Sequence, residues 1–255
     1  MSSTAAGVRV FSRAVPAKGN VRNNENMKEY DVIVVGAGHA GCEAALAAAR
    51  MESTALLVTA RFDCAGMMPC NPSIGGLAKS HLLYELDALG GEMGKNADFT
   101  ALQSKTLNSS KGPAVRATRV QCDKQLYAAR MQSVLKSQQN LDILEDCVTG
   151  ISTVDAKDGT PDAFIATGVE TAGHGVIYGK KIVITSGTSL RGRIWIGDEC
   201  KESGGDGRPA VNLLSECLER LGFMLIRLKT GTPPRILAES CDFSKCEPHP
   251  GDLPR

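Results

Sequence analysis

The most regular pattern of apolar residues lies near the start of the chain. Asp31 to Val35 form a continuous β-branched run that enters a glycine turn, which is typical of a strand buried on both faces of a parallel sheet. Residues 39–51, rich in Ala, Glu and Leu, predict a helix, and Ala55 to Val58 predict a second buried strand. Together these segments predict a βαβ unit.

The pattern continues beyond that unit as a mixture of helices and short strands. It predicts helices at 77–89, 124–137 and 211–221, a loop up to about 120, strands at 141–144 and 181–187, and three short strands at 148–154, 163–169 and 176–178. Turn dipeptides separate the three short strands, as expected of an antiparallel meander. The predicted fold class is therefore α/β, a doubly wound parallel sheet with a β meander at about 148–178.

Composition narrows the possible functions. The chain has 255 residues and is 42% hydrophobic, which is enough to bury a core. Aromatic residues make up 4%, which disfavours a stacking platform for nucleic-acid bases. The 29 basic and 28 acidic residues nearly cancel, so the molecule as a whole is not a general polyanion binder.

The nine cysteines contain no Cys-x-x-Cys pair and no histidine at zinc-ligand spacing. A disulfide framework and a metal site are both disfavoured, and a reducing compartment is expected. The apolar runs are far shorter than the roughly 20 residues of a membrane span, so no membrane association is predicted.

Residues 1–28 differ from the rest of the chain. They contain five basic residues against the single acid Glu25, and no long apolar run. This composition is typical of an organellar transit peptide, for the mitochondrial matrix or the plastid stroma, and a disordered tail on a cytoplasmic protein is the alternative.

A glycine-rich turn at residues 36–41, GAGHAG, links the first predicted strand to the first helix. Gly36 permits the turn, Gly38 lets a pyrophosphate touch the backbone, and Gly41 lets the helix close on the sheet. The usual acid about 20 residues further on is missing, with only Asp63 nearby. The βαβ context predicts a dinucleotide site rather than a glycine turn without a ligand, and His39 is interpreted as a packing residue without chemistry.

Two cysteines follow the βαβ unit, at the place where flavoprotein disulfide reductases carry a redox pair. Those enzymes use Cys-x4-Cys, whereas five residues separate Cys64 from Cys70 and Pro69 breaks the helical phase, so a redox pair is disfavoured. Cys70 precedes the segment NPSIGG and a predicted helix, whose partial positive charge favours a nucleophilic thiol. The alternative is a small buried hydrophobic residue.

Basic residues are concentrated between positions 105 and 136, with Asp123 as the one acid. Lys111, Arg116 and Arg119 fall in the predicted loop and are candidates for contacts with phosphates of a cofactor or an RNA. The basic residues of the following helix suit a solvated face. A second turn with flanking cations, Lys229 to Arg235, is interpreted as a loop between strands.

Five separated motifs, in this order, closely resemble the GidA/MnmG family of tRNA modification flavoproteins. They are GAGHAGCEAA at 36–45, CNPSIGG at 70–76, ELDALGG at 85–91, LNSSKGPAVRAT at 107–118 and LKTGTPPR at 228–235. The resemblance covers about residues 29–244. It implies a Rossmann-type, glutathione-reductase-like FAD-binding domain at 29–197, followed by the start of a second, NADH-type domain at 198–255.

The resemblance also implies an activity. A homodimeric FAD protein and a partner GTPase, MnmE in bacteria, install an aminomethyl-type group on carbon 5 of the wobble uridine of tRNA, using methylene-tetrahydrofolate and NADH. By the same resemblance, residues 36–41, including Ala37, His39 and Ala40, hold the FAD pyrophosphate. Val148 makes a backbone contact to the adenosine side, and Cys70 is the first catalytic cysteine.

The chain departs from the family in two respects. The Pro-Pro-Ser segment before the helix near 211 is replaced by Arg208-Pro-Ala-Val211, and a second cysteine motif, the NADH loop and a helical tRNA domain are missing. The sequence is therefore expected to be an incomplete fold that is inactive alone. Three alternatives stay open: a related folate- and FAD-dependent tRNA uridine methyltransferase, a flavoprotein disulfide reductase, and a non-catalytic FAD-fold remnant. The methyltransferases typically have Leu at the position of His39 and lack the Cys70 motif.

Overall fold

The structure is a computed structural model that describes residues 28–155, 164–205, 207–231 and 233–252, and the backbone of residues 9–12. The chain divides into two compact units. Unit 1 comprises Met1–Gly66 and Met131–Leu225, and unit 2 comprises Met67–Arg130 and Ile226–Arg255. Among the described residues, no helix is long and apolar enough to cross a bilayer.

The strands, in chain order, are β1 Arg9–Ser12, β2 Tyr30–Val35, β3 Ala55–Thr59, β4 Ser73–Gly75, β5 Ala101–Leu107, β6 Ala117–Cys122, β7 Leu141–Glu145, β8 Val148–Asp155, β9 Phe164–Thr171, β10 Gly175–Ile184, β11 Arg193–Ile196 and β12 Glu199–Glu202. The helices are α1 His39–Arg50, α2 Ser80–Ala88, α3 Met93–Phe99, α4 Lys124–Ser137 and α5 Asn212–Arg220.

Unit 1 contains a sheet with a parallel part, ordered β7-β3-β2-β10, and an antiparallel meander of β8, β9 and β10. In the parallel part, Val32 lies opposite Ala55 and Val35 lies opposite Ile184. Strand β1 pairs antiparallel with β10. The predicted βαβ unit, the meander and the α/β class are confirmed.

Strand β3 and the second half of β2 are buried, as expected of central parallel strands, which explains their uninterrupted apolar runs. Ile33 and Val35 face one core cluster with Ile182 and α5, and that cluster extends into the meander. Val34 lies between them in sequence and is fully buried as well. Helix α1 packs against β2 and β3. The glycine turn therefore links a strand of the sheet to the helix that covers that strand.

The predicted strands at 176–178 and 181–187 are parts of one strand, β10. Gly179, Lys180 and Lys181 interrupt the apolar pattern there. A Cβ on Gly179 would lie 2.6 Å from Cδ1 of Ile33, and Lys180 donates a hydrogen bond to Asp31 at 2.6 Å. The apolar pattern is therefore interrupted because Gly179 packs closely against Ile33 and Lys180 pairs with Asp31. The strand itself continues through these residues.

Unit 2 contains a three-stranded antiparallel sheet ordered β4-β6-β5, against which α2 and α3 pack. The predicted loop up to residue 120 is therefore wrong, since it contains α3, β5 and most of β6. These strands carry Lys105 and Arg119 opposite each other, and few of their side chains are fully buried. Such strands lack the hydrophobic alternation that makes a strand recognisable in sequence.

The proline-rich segment at 248–252 lies along the outer edge of β5. Gln103 and Lys105 donate hydrogen bonds to the carbonyls of His249 and Pro250 at 2.8 and 2.9 Å. The amide of Asp252 donates to the carbonyl of Ser104 at 2.8 Å. This segment thus satisfies part of the strand edge within unit 2. The NADH-type domain expected from residue 198 stays a prediction.

Candidate functional site

Unit 1 carries the glycine turn, and its first glycine is required by the backbone. Gly36 has φ +99°, in the region that favours glycine, and a Cβ there would lie 2.7 Å from the carbonyl oxygen of Thr185. Its N–H donates to the carbonyl of Val58 at 2.8 Å, which ties the turn to the neighbouring strand. No other residue fits this position.

Gly41 is required because the helix closes directly on the turn. A Cβ on Gly41 would lie 1.7 Å from the carbonyl oxygen of Gly36. The hydroxyl of Thr185 donates to the carbonyls of Val35 and Gly36, both at 2.9 Å, and so fixes the turn from the side of β10. Contacts within the protein therefore explain why the first and third positions of the motif, Gly36 and Gly41, must be glycine.

At Gly38, by contrast, no contact within the described residues requires a glycine. Its φ is −69°, which any residue adopts, and a Cβ built there meets none of the described residues within 4 Å. Gly38 is exposed and is the N-cap of α1, with no side-chain cap and no acidic residue in the first turn. The open space at the positive end of the helix fits the pyrophosphate of a dinucleotide, which needs close approach to the backbone.

The neighbouring side chains of the turn are not suited to proton chemistry. Burial lowers the pKa of His39, which favours the neutral imidazole. Burial also raises the pKa of Cys42 to about 12, and its thiol donates to the carbonyl of Ala37 at 3.3 Å. The candidate binding groups of the turn are therefore its backbone amides, and the absence of chemistry at His39 stays a prediction.

The other predicted cofactor residue in unit 1 is Val148, at the start of β8. Its side chain is buried in the core cluster with Val58. A backbone contact from Val148 to a cofactor stays a prediction. At the end of β3, where an acid commonly binds the ribose, Asp63 is paired with Arg61, whose Nε donates to Asp63 at 3.0 Å.

Cys70 lies in unit 2 and is partly exposed. Helix α2 begins only at Ser80, because β4 and the turn of Gly75 and Gly76 intervene, so Cys70 is not at a helix start. Its thiol lies 3.5 Å from the carbonyl oxygen of Gly231. The sequence correctly predicts a helix after Cys70, but the expected placement of the thiol at its positive end is wrong.

The three predicted phosphate ligands are also in unit 2. Lys111 and Arg116 are exposed in the connection between β5 and β6. Arg119 is not in that loop but on β6, opposite Gly75, and its buried Nε has no hydrogen-bond partner among the described residues. The structure therefore keeps Lys111 and Arg116 as surface cations and places Arg119 in a sheet.

Sequence reasoning missed Arg235. One of its guanidinium nitrogens donates to the carbonyl of Cys70 and lies 3.5 Å from that of Pro69. The signal was the cation-flanked turn of residues 229–235, which was interpreted as a plain loop. The described residues hold no cluster of His, Cys, Asp or Glu that could bind a metal ion, and all nine cysteines are free.

The parallel sheet, the meander and the glycine turn with its open second position define a protein with a Rossmann-type FAD-binding fold. The family model described as glucose inhibited division protein A matches residues 31–255. The chain belongs to this family.

Curated relatives and solved structures support the same family assignment. The chain is 52% identical over 227 residues to the tRNA uridine 5-carboxymethylaminomethyl modification enzyme MnmG of Pelobacter propionicus, and this match covers 89% of the chain and 35% of the relative. It is 51% identical over 223 residues to the MnmG of Geobacillus thermodenitrificans, covering 88% of the chain and 34% of the relative. The chain thus spans about a third of the length of these relatives.

Among solved structures, the GidA of Aquifex aeolicus matches with a TM-score of 0.81 and 44% identity, covering 89% of this chain and 36% of that chain. A GidA-related protein of Thermus thermophilus matches with a TM-score of 0.55 and 21% identity, covering 78% of this chain and 71% of that chain, which shows the fold alone.

Proposed function

We propose that this chain supplies the FAD-binding part of a tRNA wobble-uridine modification protein. One observation supports the cofactor most directly: Gly38 is a glycine that neither its backbone angles nor its neighbours require, at the open N-terminus of α1. About 50% identity to proteins named as tRNA uridine modification enzymes supports the substrate.

In this proposal the backbone amides at the start of α1 bind the FAD pyrophosphate, and Gly36 and Gly41 keep the turn rigid. FAD, when bound, would supply the redox chemistry of a reaction that uses electrons from NADH and the methylene group of methylene-tetrahydrofolate. Val148 contributes a backbone contact on the adenosine side. Neutral His39 packs at the turn without exchanging a proton.

Cys70 is the proposed nucleophile in unit 2. Its thiol is partly exposed, in contrast to Cys42 and Cys217, which are buried. Attack by the thiol on the uridine or on the activated methylene unit would provide covalent catalysis. Lys111, Arg116 and Arg119 are proposed to contact phosphates of the tRNA or of the cofactor.

The proposed partners follow from the same family membership. A GTPase of the MnmE type acts with the protein, two copies form a homodimer, and the product is a carboxymethylaminomethyl-type group on carbon 5 of the wobble uridine. Mixing the chain with such a GTPase and measuring co-elution tests the association, and separate elution at micromolar concentrations contradicts it.

Residues 1–28 are proposed to direct the protein to a mitochondrion or plastid, and most of them lie outside the described residues. Fusing them to a fluorescent protein tests this directly. Import into either organelle supports the proposal, whereas diffuse cytoplasmic fluorescence contradicts it.

The test of the catalytic role replaces Cys70 in a full-length relative such as the GidA of Aquifex aeolicus. Cys70→Ser should retain flavin and abolish wobble-uridine modification in a strain that lacks the endogenous protein, measured by nucleoside mass spectrometry. Cys200→Ser is the matched control, because Cys200 is exposed on the hairpin of β11 and β12. Normal modification by the Cys70 variant would refute this assignment.

A further inference from the structure

Unit 2 is built from two segments of the chain that are about 100 residues apart in sequence. Residues 226–252 belong to the same compact unit as residues 67–130. They meet that part at two places, the outer edge of β5 and the segment around Cys70. We call residues 229–231 and 233–235 the return loop.

The return loop contacts Cys70 in two ways. Arg235 donates to the carbonyl of Cys70, and the same guanidinium nitrogen lies 3.5 Å from the carbonyl of Pro69. The thiol of Cys70 lies 3.5 Å from the carbonyl oxygen of Gly231, within range for a weak S–H donor. Backbone and side chain of Cys70 are thus both held by one loop.

The sequence around Cys70 explains why an arginine is needed there. Pro69 and Pro72 have no N–H, and residues 67–72 contain no helix or strand, so few local donors are available to neighbouring carbonyls. A guanidinium offers five N–H donors in a rigid fork. Pro233 and Pro234 restrict the backbone directly before Arg235, which favours a fixed origin for its side chain.

We infer that Arg235 is a positioning residue for Cys70, which holds the backbone of Pro69 and Cys70 so that the thiol keeps one direction. Arg235 acts through the carbonyls of the cysteine segment and does not itself take part in bond formation. This inference rests on the proposed role of Cys70, but its geometric part can be measured without turnover.

The experiment measures alkylation of Cys70 by iodoacetamide in the 255-residue chain, with Cys200 as the internal reference, by peptide mass spectrometry. Arg235→Met should raise the Cys70 rate about five-fold relative to Cys200, because loss of one ordinary hydrogen bond shifts a local equilibrium by about that factor. Arg235→Lys keeps a charged donor group without the planar fork and should give a smaller increase. Lys245→Met is the matched control, since that lysine is a surface cation of the same unit with 82% of its side chain exposed.

An unchanged Cys70 rate in Arg235→Met, or the same increase in Lys245→Met, would overturn the inference. Circular dichroism identifies a variant that fails to fold. If Arg235→Met does, Arg235→Lys decides, because a faster Cys70 rate supports positioning and the wild-type rate contradicts it.

A second readout separates positioning from stability. In a full-length relative, the methionine variant should keep flavin content and KM for tRNA while kcat falls, and the lysine variant should restore part of kcat. Equal loss in both variants contradicts positioning by the guanidinium fork. Failure of the proposed function is distinguishable, because Cys70→Ser with normal modification would remove the catalytic role and leave the alkylation result unchanged.

Discussion

The interiors of unit 1 and unit 2 are stabilised by different kinds of interaction. The core of unit 1 is aliphatic, and Ile33, Leu57 and Ile182 are fully buried in it. The interior of unit 2 includes Asn96, fully buried, and Glu92, 4% exposed, and both accept hydrogen bonds from Arg130 at 3.3 and 2.8 Å. One unit is stabilised mainly by apolar burial, and the other depends on a polar network as well.

The two units also present their functional groups differently. In unit 1 the candidate site is backbone, and close neighbours leave no room for a side chain at its first and third glycines, Gly36 and Gly41. In unit 2 the candidate groups are side chains, and a thiol is positioned by contacts from a separate loop. A backbone site tolerates no side chain at its glycines, whereas a side-chain site depends on the residues that orient it.

The largest expected effect is on the core of unit 1. Leu57→Ala should lower the free energy of unfolding by about 3 kcal/mol, because it leaves a cavity in a fully buried layer. Hydrogen exchange should accelerate in β2, β3 and β10. Met51→Ala, on a side chain that is 79% exposed, is the control and should change stability by less than about 0.5 kcal/mol. Similar losses in both variants would contradict an aliphatic core.

The next effect tests the polar interior of unit 2. Arg130→Met should destabilise by about 2 kcal/mol, because it leaves the carboxylate of Glu92 buried without its cation. Adding Glu92→Met should recover most of that loss, as measured by urea unfolding and a double-mutant cycle. Additive losses would show that the pair acts through packing rather than charge.

A smaller, graded effect is expected for the three candidate phosphate ligands of unit 2. Replacing Lys111, Arg116 and Arg119 by alanine in a full-length relative should reduce the salt slope of tRNA binding by up to about one per phosphate contact. Unchanged flavin content, tRNA affinity and salt slope would make these residues ordinary surface cations. Alanine at the exposed lysines 95, 201 and 245 provides a control of equal charge.

The smallest effect concerns pH and unit 1. Burial acts to raise the pKa of Asp146, but hydrogen bonds from His174 and from the amides of Cys147 and Gly173 outweigh it and lower the pKa to about 2. A depressed carboxyl pKa adds stability above the unfolded value, and this stability is lost as pH falls toward about 2. Asp146→Asn should therefore be less stable than wild type near neutral pH and equally stable below about pH 2. Urea unfolding at several pH values measures this difference, and a constant gap would contradict it.

Sequence patterns predict β2 and β3 of unit 1 well, because these strands are continuous apolar runs that end in the buried core. The apolar run at 31–35 and the glycine spacing at 36–41 can be recognised from neighbouring residues alone, because each structural element is built from one continuous segment. Unit 2 is harder to predict, because β5 and β6 lack a regular alternation of apolar and polar residues, and their pairing is visible only in three dimensions. The contact of Arg235 with Cys70 joins positions 165 residues apart, and no local pattern encodes such a contact.

The central claim is that the turn at residues 36–41 binds FAD through its open second glycine. The most direct measurement is a titration of FAD into the purified chain, followed by flavin fluorescence, for wild type, Gly38→Val and the Met51→Ala control. Wild type and control should bind one FAD per chain, and Gly38→Val should bind at least about 100-fold more weakly, since a side chain would occupy the pyrophosphate space. Equal affinity of Gly38→Val and wild type would contradict the account.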